Sequence, residues 1–177
     1  MDTNVAKVAN GREESPQASP KCVNTCINRL ERIVRGEEKL VLDNKWKIMS
    51  EYRDNLRSSG EPGAGDRFFL WVLRRKDTEC VSVPITPVDG LENEFREFPD
   101  DPALDSFDRD DRMFIAVALA HTAKPPILQA VDTQWWQFRD ALRENGVTVE
   151  FICEDDIQKL SGDIGLVKVT CKTDAGL

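Results

Sequence analysis

Four acidic residues, far apart in the sequence, occupy positions from which their side chains could converge. Asp2 is the second residue, Glu51 lies in a predicted helix, Asp111 begins another helix, and Asp132 ends an apolar strand. If the four meet at the carboxyl edge of a parallel sheet, their like charges are costly unless the carboxyls are protonated or hold cations. A set of oxygen ligands favours Mg²⁺ or Mn²⁺ over Zn²⁺.

Each of these carboxylates also has a purely structural interpretation. Acidic side chains are stabilised at helix starts by free backbone amides and by the helix dipole. Four aspartates stand just before or at the start of the apolar helix predicted from about residue 108, namely Asp105, Asp108, Asp110 and Asp111. Asp108 and Asp110 therefore compete with Asp111 for a functional role. Glu51 lies four positions after Lys47, and a salt bridge on the helix surface would explain it as well.

The composition predicts one globular domain. The chain has 177 residues, of which 40% are hydrophobic, and its net charge of −8 argues against non-specific binding of nucleic acid through a basic surface. A nucleic-acid substrate stays compatible with this charge, because carboxylate-bound divalent cations supply positive charge locally. No apolar run has the length of a membrane span and the amino terminus lacks the pattern of a signal peptide, so we expect a cytoplasmic protein with no membrane partner.

Histidine and cysteine give little basis for other chemistry. The only histidine, His121, is expected at a helix end, where an imidazole interacts favourably with the dipole. Five cysteines are present, and only Cys22 and Cys26 are close in sequence. They fall on one face of a predicted helix beside apolar residues, which predicts buried core thiols in preference to a metal or redox site.

Hydrophobic periodicity predicts strands alternating with helices. The predicted helices cover about residues 20–36, 46–60, 67–79, 108–123, 133–145 and 154–160, and the predicted strands cover 39–43, 80–85, 126–132, 147–153 and 164–171. Trp46 and Tyr52 are expected to face inward, as is at least one of Trp135 and Trp136. The connector over residues 86–102 is expected to be a surface cover or a mobile flap. Alternation of this kind predicts an α/β fold with a mostly parallel sheet.

Several short motifs together resemble the PIN-domain nucleases in order, spacing and setting. They are Asp2-Thr3-Asn4, the helical pair Glu51-Tyr52, Asp111 followed by Ile115-Ala116-Val117-Ala118-Leu119, and Asp132-Thr133 after an apolar strand. The resemblance covers a PIN-like domain over residues 1–153, with a carboxyl-terminal extension over residues 154–177 that contains a short helix and the last predicted strand. It implies a three-layer α/β/α fold with a central, mostly parallel sheet.

The resemblance also implies a function. Asp2, Glu51, Asp111 and Asp132 would hold one or two Mg²⁺ or Mn²⁺ ions and serve as the catalytic residues of a metal-dependent ribonuclease. Asn4 and Thr133 would orient water or substrate. Asp111 is preferred over Asp108 and Asp110 because its spacing to the small-residue helix fits the family.

Two further interpretations stay open at the level of sequence. One is a non-catalytic PIN-like binding or scaffold protein that keeps the fold and some of the acids. The other is an unrelated α/β protein whose acids are only helix caps and solvated side chains. For the ribonuclease, the expected partner is RNA, with single-stranded RNA preferred. A homodimer is also open, whereas an antitoxin-like protein partner has no support in the acidic composition or in the extension.

Overall fold

The structure is a computed structural model that describes residues 1–11 and 18–169, with side chains described as far as residue 162. Helices and strands alternate over most of its length. The helices are α1 (Thr3–Ala9), α2 (Pro20–Val34), α3 (Lys47–Asn55), α4 (Ala64–Glu79), α5 (Arg112–Ala120), α6 (Thr133–Glu144) and α7 (Glu154–Val169). The strands are β1 (Val41–Asp43), β2 (Val81–Val83), β3 (Ile127–Gln129) and β4 (Val149–Phe151), and short 3-10 turns cover Pro102–Leu104 and Arg109–Asp111.

The four strands form two parallel pairs. β1 pairs with β2, with Val41 opposite Val81, and β3 pairs with β4, with Ile127 opposite Val149. Each pair is connected through intervening helices, as parallel strands require. The described part of the chain is therefore an α/β structure built on short parallel strand pairs, which confirms the predicted class.

A groove lies where the two strand pairs approach each other. It has a volume of about 320 Å³, and its lining includes Leu40 and Val41 from one pair, Ile127 and Leu128 from the other, and Met1. Val81 donates to the carbonyl of Leu40, so Val41 turns its own backbone groups away from β2. Leu128 likewise turns away from β4, and its carbonyl accepts a hydrogen bond of 3.1 Å from the backbone N–H of Asp2. The first residues of the chain thus extend along the free side of β3.

The helices around these strands pack closely. Residues 112–118 of α5 are all buried, as the run of apolar and small residues predicts. Gly65 in α4 stands against the backbone carbonyl of Ala6 in α1, and a Cβ atom at this position would overlap that oxygen. A glycine is therefore required where α4 meets α1. None of the helices in the described ranges is both long and apolar enough to cross a membrane.

Several predictions about local structure need correction. Trp46 was expected to face inward, but it precedes α3 with a φ of 64° and is 51% exposed, because α3 begins only at Lys47. The strand predicted over residues 164–171 is wrong as far as Val169, since α7 runs from Glu154 to Val169. Residues 170–171 of that prediction lie outside the described part. Helix α1 was not predicted.

The connector over residues 86–102 is a packed cover. A bridge joins Pro87 to Phe95, whose side chain is buried. Both carboxylate oxygens of Glu94 lie 2.8 Å from Nη1 of the buried Arg112. Arg112 also donates to the carbonyls of Asp105 and Phe107, so α5 holds this cover in place. These contacts favour the surface-cover alternative for this segment.

Candidate active site

Trp135 joins two of the predicted carboxylates. Its indole Nε1 donates to Oδ2 of Asp111 across 3.0 Å, and its backbone N–H points at Oδ1 of Asp132 across 3.4 Å. Asp132 is the N-cap of α6 and also accepts from the backbone N–H of Gln134 at 2.8 Å. Trp135 is fully buried, with its ring against the edge of Phe107 at 5.0 Å. A rigid aromatic side chain therefore fixes the position of Asp111 relative to the cap of α6.

Asn4 connects Asp2 to the loop that follows β3, which contains Asp132. Its backbone N–H donates to Oδ1 of Asp2 across 2.7 Å, so Asp2 is the N-cap of α1. Its side-chain oxygen accepts from the backbone N–H of Val131 across 3.0 Å. Asp2 and Asp132, separated by 130 positions, are thus connected through one residue of α1 and one residue of the loop after β3.

Glu51 reaches the site from α3. Its neighbour Tyr52 is fully buried and donates its hydroxyl to the carbonyl of Met1 across 2.7 Å, which fastens α3 to the residue before Asp2. Glu51 accepts from the side-chain amide of Asn55 at 2.7 Å, and Asn55 in turn accepts from Nζ of Lys7 at 3.3 Å. The predicted surface pair with Lys47 is therefore replaced by a polar contact within α3 that Lys7 of α1 extends.

The carboxyls affect one another electrostatically. The pKa of Asp111 is raised from 3.8 to about 8, mainly by burial and then by the charges of Asp2 and Asp132, while the hydrogen bond from Trp135 opposes the shift. Burial raises the pKa of Asp2 to about 6, with the charge of Asp132 adding to the shift and the hydrogen bond from Asn4 opposing it. The pKa of Glu51 is also raised, first by burial and then by the charge of Asp2. Like charges held together in a partly buried site produce these directions.

Gln129 adds an unsatisfied donor beside these acids. It is the last residue of β3 and is fully buried. Its Oε1 accepts from the backbone N–H of Ala130 at 2.8 Å, while its Nε2 has no hydrogen-bond partner among the described atoms. The amide nevertheless approaches the carboxylate of Asp2 closely enough to lower its pKa. The side-chain amide of Gln129 is therefore directed at Asp2, where it favours the charged form of this carboxylate.

The carboxylates do not form a closed ligand set. Among the described residues, one group of three or more His, Cys, Asp or Glu side chains has ligand atoms all within 4.8 Å of one another, and it consists of Cys22, Cys26 and Cys153. The acidic residues are thus near enough to shift one another's pKa, but their oxygens are more widely spaced than in that cluster. A cation held by them would need some of its ligands from water or from substrate, as Mg²⁺ commonly does.

The structure distinguishes the three competing aspartates. Asp108 caps the 3-10 turn through the backbone N–H of Asp110, and Asp110 is exposed and accepts from the side chain of Asn93 at 2.6 Å. Only Asp111 of the three is bonded to Trp135. Thr133 is partly exposed at the start of α6. The sequence does not indicate that Trp135 and Gln129 belong to the site. Its patterns predict core packing or an interface for Trp135 and a strand position for Gln129.

Comparison with protein-family models, with curated proteins and with solved structures finds no match to this chain.

Proposed function

We propose that the protein is a metal-dependent ribonuclease with a PIN-like three-layer α/β/α fold, and that Asp2, Glu51, Asp111 and Asp132 hold Mg²⁺ or Mn²⁺. The observation that carries the proposal is the hydrogen-bonded connection from Asp2 through Asn4 to the loop after β3, and from Asp132 through Trp135 to Asp111. Helix capping alone would not require carboxylates from three separate elements to be linked in this way.

The donor set fits a hard divalent cation. All the candidate ligands are carboxylate oxygens, which Mg²⁺ and Mn²⁺ prefer. Burial, followed by the charge of neighbouring carboxylates, raises the pKa values of Asp2 and Asp111, and a bound cation would favour the charged form of both.

When bound, the cation lowers the pKa of a coordinated water and offsets negative charge on the phosphate. The protein's own residues prepare this chemistry. Asp2 and Asp111 must each release a proton to serve as ligands. Trp135 favours the charged form of Asp111 by donating to Oδ2, and Asn4 does the same for Asp2 through its backbone N–H. Asn4 and Thr133 lie beside Asp2 and Asp132, where their side chains are proposed to orient water or phosphate.

RNA is the proposed substrate, and single-stranded RNA is preferred. The net charge of −8 repels a polyanion, so binding would depend on bound cations and on local basic groups such as Lys7 near Glu51. We expect the cleavage rate to depend steeply on divalent metal for this reason.

Cleavage of a fluorescent single-stranded RNA with Mn²⁺ tests the proposal. Asp111→Asn should reduce the rate by at least about 100-fold, as loss of one of the principal charged groups of an active site does. Asp110→Asn is the matched control, because it removes a neighbouring, exposed carboxylate that is bonded to Asn93. Equal rates for Asp111→Asn and the wild type would contradict the proposal and would point to a contaminating nuclease.

A non-catalytic PIN-like binding or scaffold protein is the second candidate. The wider spacing of the acidic oxygens, compared with the cysteine cluster, favours it. The two functions differ in a single comparison. If Mn²⁺ raises the melting temperature of the wild type but not of Asp111→Asn, and no RNA is cleaved, the protein binds metal without catalysing cleavage.

A further inference from the structure

Three cysteines from distant parts of the chain meet in the core. Cys22 and Cys26 lie on consecutive turns of α2 and face the same side, and Cys153 lies in the turn between β4 and α7. Their sulfur atoms all lie within 4.8 Å of one another, and Sγ of Cys26 is 3.9 Å from Sγ of Cys153. All three side chains are buried. The prediction of buried thiols is confirmed for Cys26 but wrong for Cys22, which forms a disulfide with Cys153.

The third sulfur is not needed for this disulfide. A bond between Cys22 and Cys153 already ties α2 to the start of α7, and Cys26 lies against it as a buried free thiol. Burial, and to a smaller extent the charge of Asp156, raises the pKa of Cys26 to about 12. Cys26 therefore stays protonated in this state and is inert.

We propose that Cys22, Cys26 and Cys153 bind Zn²⁺ when the disulfide is reduced. Thiolates are the ligands that zinc prefers, and Zn–S bonds of about 2.3 Å in a tetrahedral site place the sulfur atoms about 3.8 Å apart. The distance of 3.9 Å between the sulfur atoms of Cys26 and Cys153 is close to this value. Cys22 must move away from Cys153 once the bond between them is broken.

A fourth position is accessible from solvent. A pocket of about 260 Å³ borders Cys22 and Cys153, and its lining includes Thr25, Asp155 and Asp156. Asp156 accepts from the backbone N–H of Ser19 at 2.6 Å, which holds the start of α7 against the start of α2. The pocket provides a path for the ion and room for a water as fourth ligand. Asp155 is paired with Lys21, which also lines the pocket, so Glu154 and Asp156 supply the excess negative charge that attracts a dication.

The disulfide and the metal site exclude each other because they use the same sulfurs. A phosphine and one water reduce the bond between Cys22 and Cys153: the phosphine becomes its oxide and each cysteine receives one hydrogen as a thiol. Zn²⁺ then displaces the three thiol protons to solvent as the three Zn–S bonds form. Affinity for Zn²⁺ should therefore rise with pH and vanish after oxidation.

Titration with Co²⁺, a spectroscopic substitute for Zn²⁺, tests the proposal directly. The phosphine-reduced wild type should develop a thiolate-to-cobalt charge-transfer band that saturates at one ion per chain and disappears when Zn²⁺ is added. Cys26→Ser should bind at least about tenfold more weakly, since it loses one of three ligands. Cys80→Ser is the matched control, because Cys80 is a described free cysteine outside the cluster and should not matter.

Oxidised wild type provides the second measurement, because it keeps the fold and all three sulfurs but should show no charge-transfer band. This comparison remains decisive even if Cys26→Ser fails to fold. Absence of the band in the reduced wild type would overturn the proposal, and so would equal binding by a folded Cys26→Ser protein. A band of equal strength in the oxidised protein would also overturn it.

Discussion

The indole Nε1 of Trp135 donates a hydrogen bond of 3.0 Å to Oδ2 of Asp111. Asp111 stands at the end of a 3-10 turn and Trp135 lies in the first turn of α6, so this bond fixes two elements that the chain separates by 24 positions. The same tryptophan approaches Asp132 through its backbone N–H. The relative placement of the two carboxylates therefore depends on one aromatic residue.

Replacing this tryptophan should weaken the proposed metal site. Trp135→Phe keeps an aromatic ring but removes the donor, and the pKa of Asp111 should rise because its charged form loses a hydrogen bond. We expect Mn²⁺ to bind about tenfold more weakly at neutral pH, which corresponds to about 1.4 kcal/mol. Isothermal titration calorimetry measures the change.

Trp136→Phe is the control for this variant. The ring of Trp136 packs on Phe151 and under the guanidinium of Arg139, and the contact of Trp136 with Asp132 is made by its backbone N–H, which the substitution keeps. The Trp136→Phe variant should bind Mn²⁺ with the same affinity as the wild type. If both variants bind equally well, the bond to Asp111 has no role in metal binding.

Asp111 should make the metal-free protein less stable as the pH rises. The buried amino group of Met1, whose pKa is lowered from 8.0 to about 6, contributes in the opposite direction between these two values. The pKa of Asp111 is raised from 3.8 to about 8, so between these values the folded chain keeps a proton that the unfolded chain releases. The folded state then binds more protons, and the free energy of unfolding falls with increasing pH across this window. Asp2, with a pKa of about 6, contributes in the same direction.

Asp111→Asn should remove much of this dependence. We expect the variant to be more stable than the wild type at pH 8 in a metal chelator, and to approach the wild type near pH 4. Urea unfolding at several pH values measures both curves. Parallel curves for the two proteins would show that Asp111 titrates with an ordinary pKa.

Asn4 should be needed to position Asp2 and the loop after β3. Asn4→Ala removes the side-chain oxygen that accepts from Val131 and should cost about 1–2 kcal/mol of stability, because it leaves a partly buried N–H unpaired. It should also weaken Mn²⁺ binding, since Asp132 follows Val131 directly. Thermal unfolding with and without Mn²⁺ separates the two effects.

Asn24→Ala is the comparison for Asn4→Ala, because Asn24 is exposed on α2. Its stability should change by no more than about 0.5 kcal/mol. If Asn4→Ala lowers stability but leaves the Mn²⁺-induced shift intact, Asn4 supports the fold without ordering the site.

The cover over residues 86–102 should depend on Arg112. Arg112→Met leaves the carboxylate of Glu94 without its main partner, although this side chain is largely shielded from solvent. The substitution also removes the donors to the carbonyls of Asp105 and Phe107. We expect a loss of about 3 kcal/mol, the range for breaking a buried ion pair from one side. Arg109→Met removes a mostly exposed contact to the same glutamate and should cost less than about 1 kcal/mol. Similar losses in urea unfolding would contradict this assignment.

The sequence predicted those parts of the fold that local patterns determine. Ser19 caps α2 with Pro20 in its first turn, and Gly146 follows the end of α6 with a positive φ, both in agreement with short-range capping rules. The helix α7 is longer than predicted. Its later residues include alternating apolar positions, a pattern that also suits a strand. Trp46 does not face inward because it lies before the start of α3. The carboxylate of Asp43 accepts from the backbone N–H groups of Lys47 and Ile48, so the helix begins after Trp46.

Local sequence patterns could not predict the contacts between residues far apart in the chain. Cys22 and Cys153 are 131 positions apart, and no spacing rule could pair them among five cysteines. The bonds from Trp135 to Asp111 and from Asn4 to Val131 likewise depend on how the elements are assembled. The acidic residues themselves could be nominated from the sequence, because aspartates at helix starts and strand ends are visible there. The residues that hold them in place could not.

The groove beside Met1 affects how the protein should be tagged for such experiments. Met1 lies in the groove between the two strand pairs, its carbonyl accepts from Tyr52, and the next residue is bonded to Leu128. Residues fused ahead of Met1 would therefore be directed along the backbone edges of β1 and β3, a few residues from Asp2. An amino-terminal affinity tag would become part of the molecule being measured, and metal-binding data should be collected after its removal.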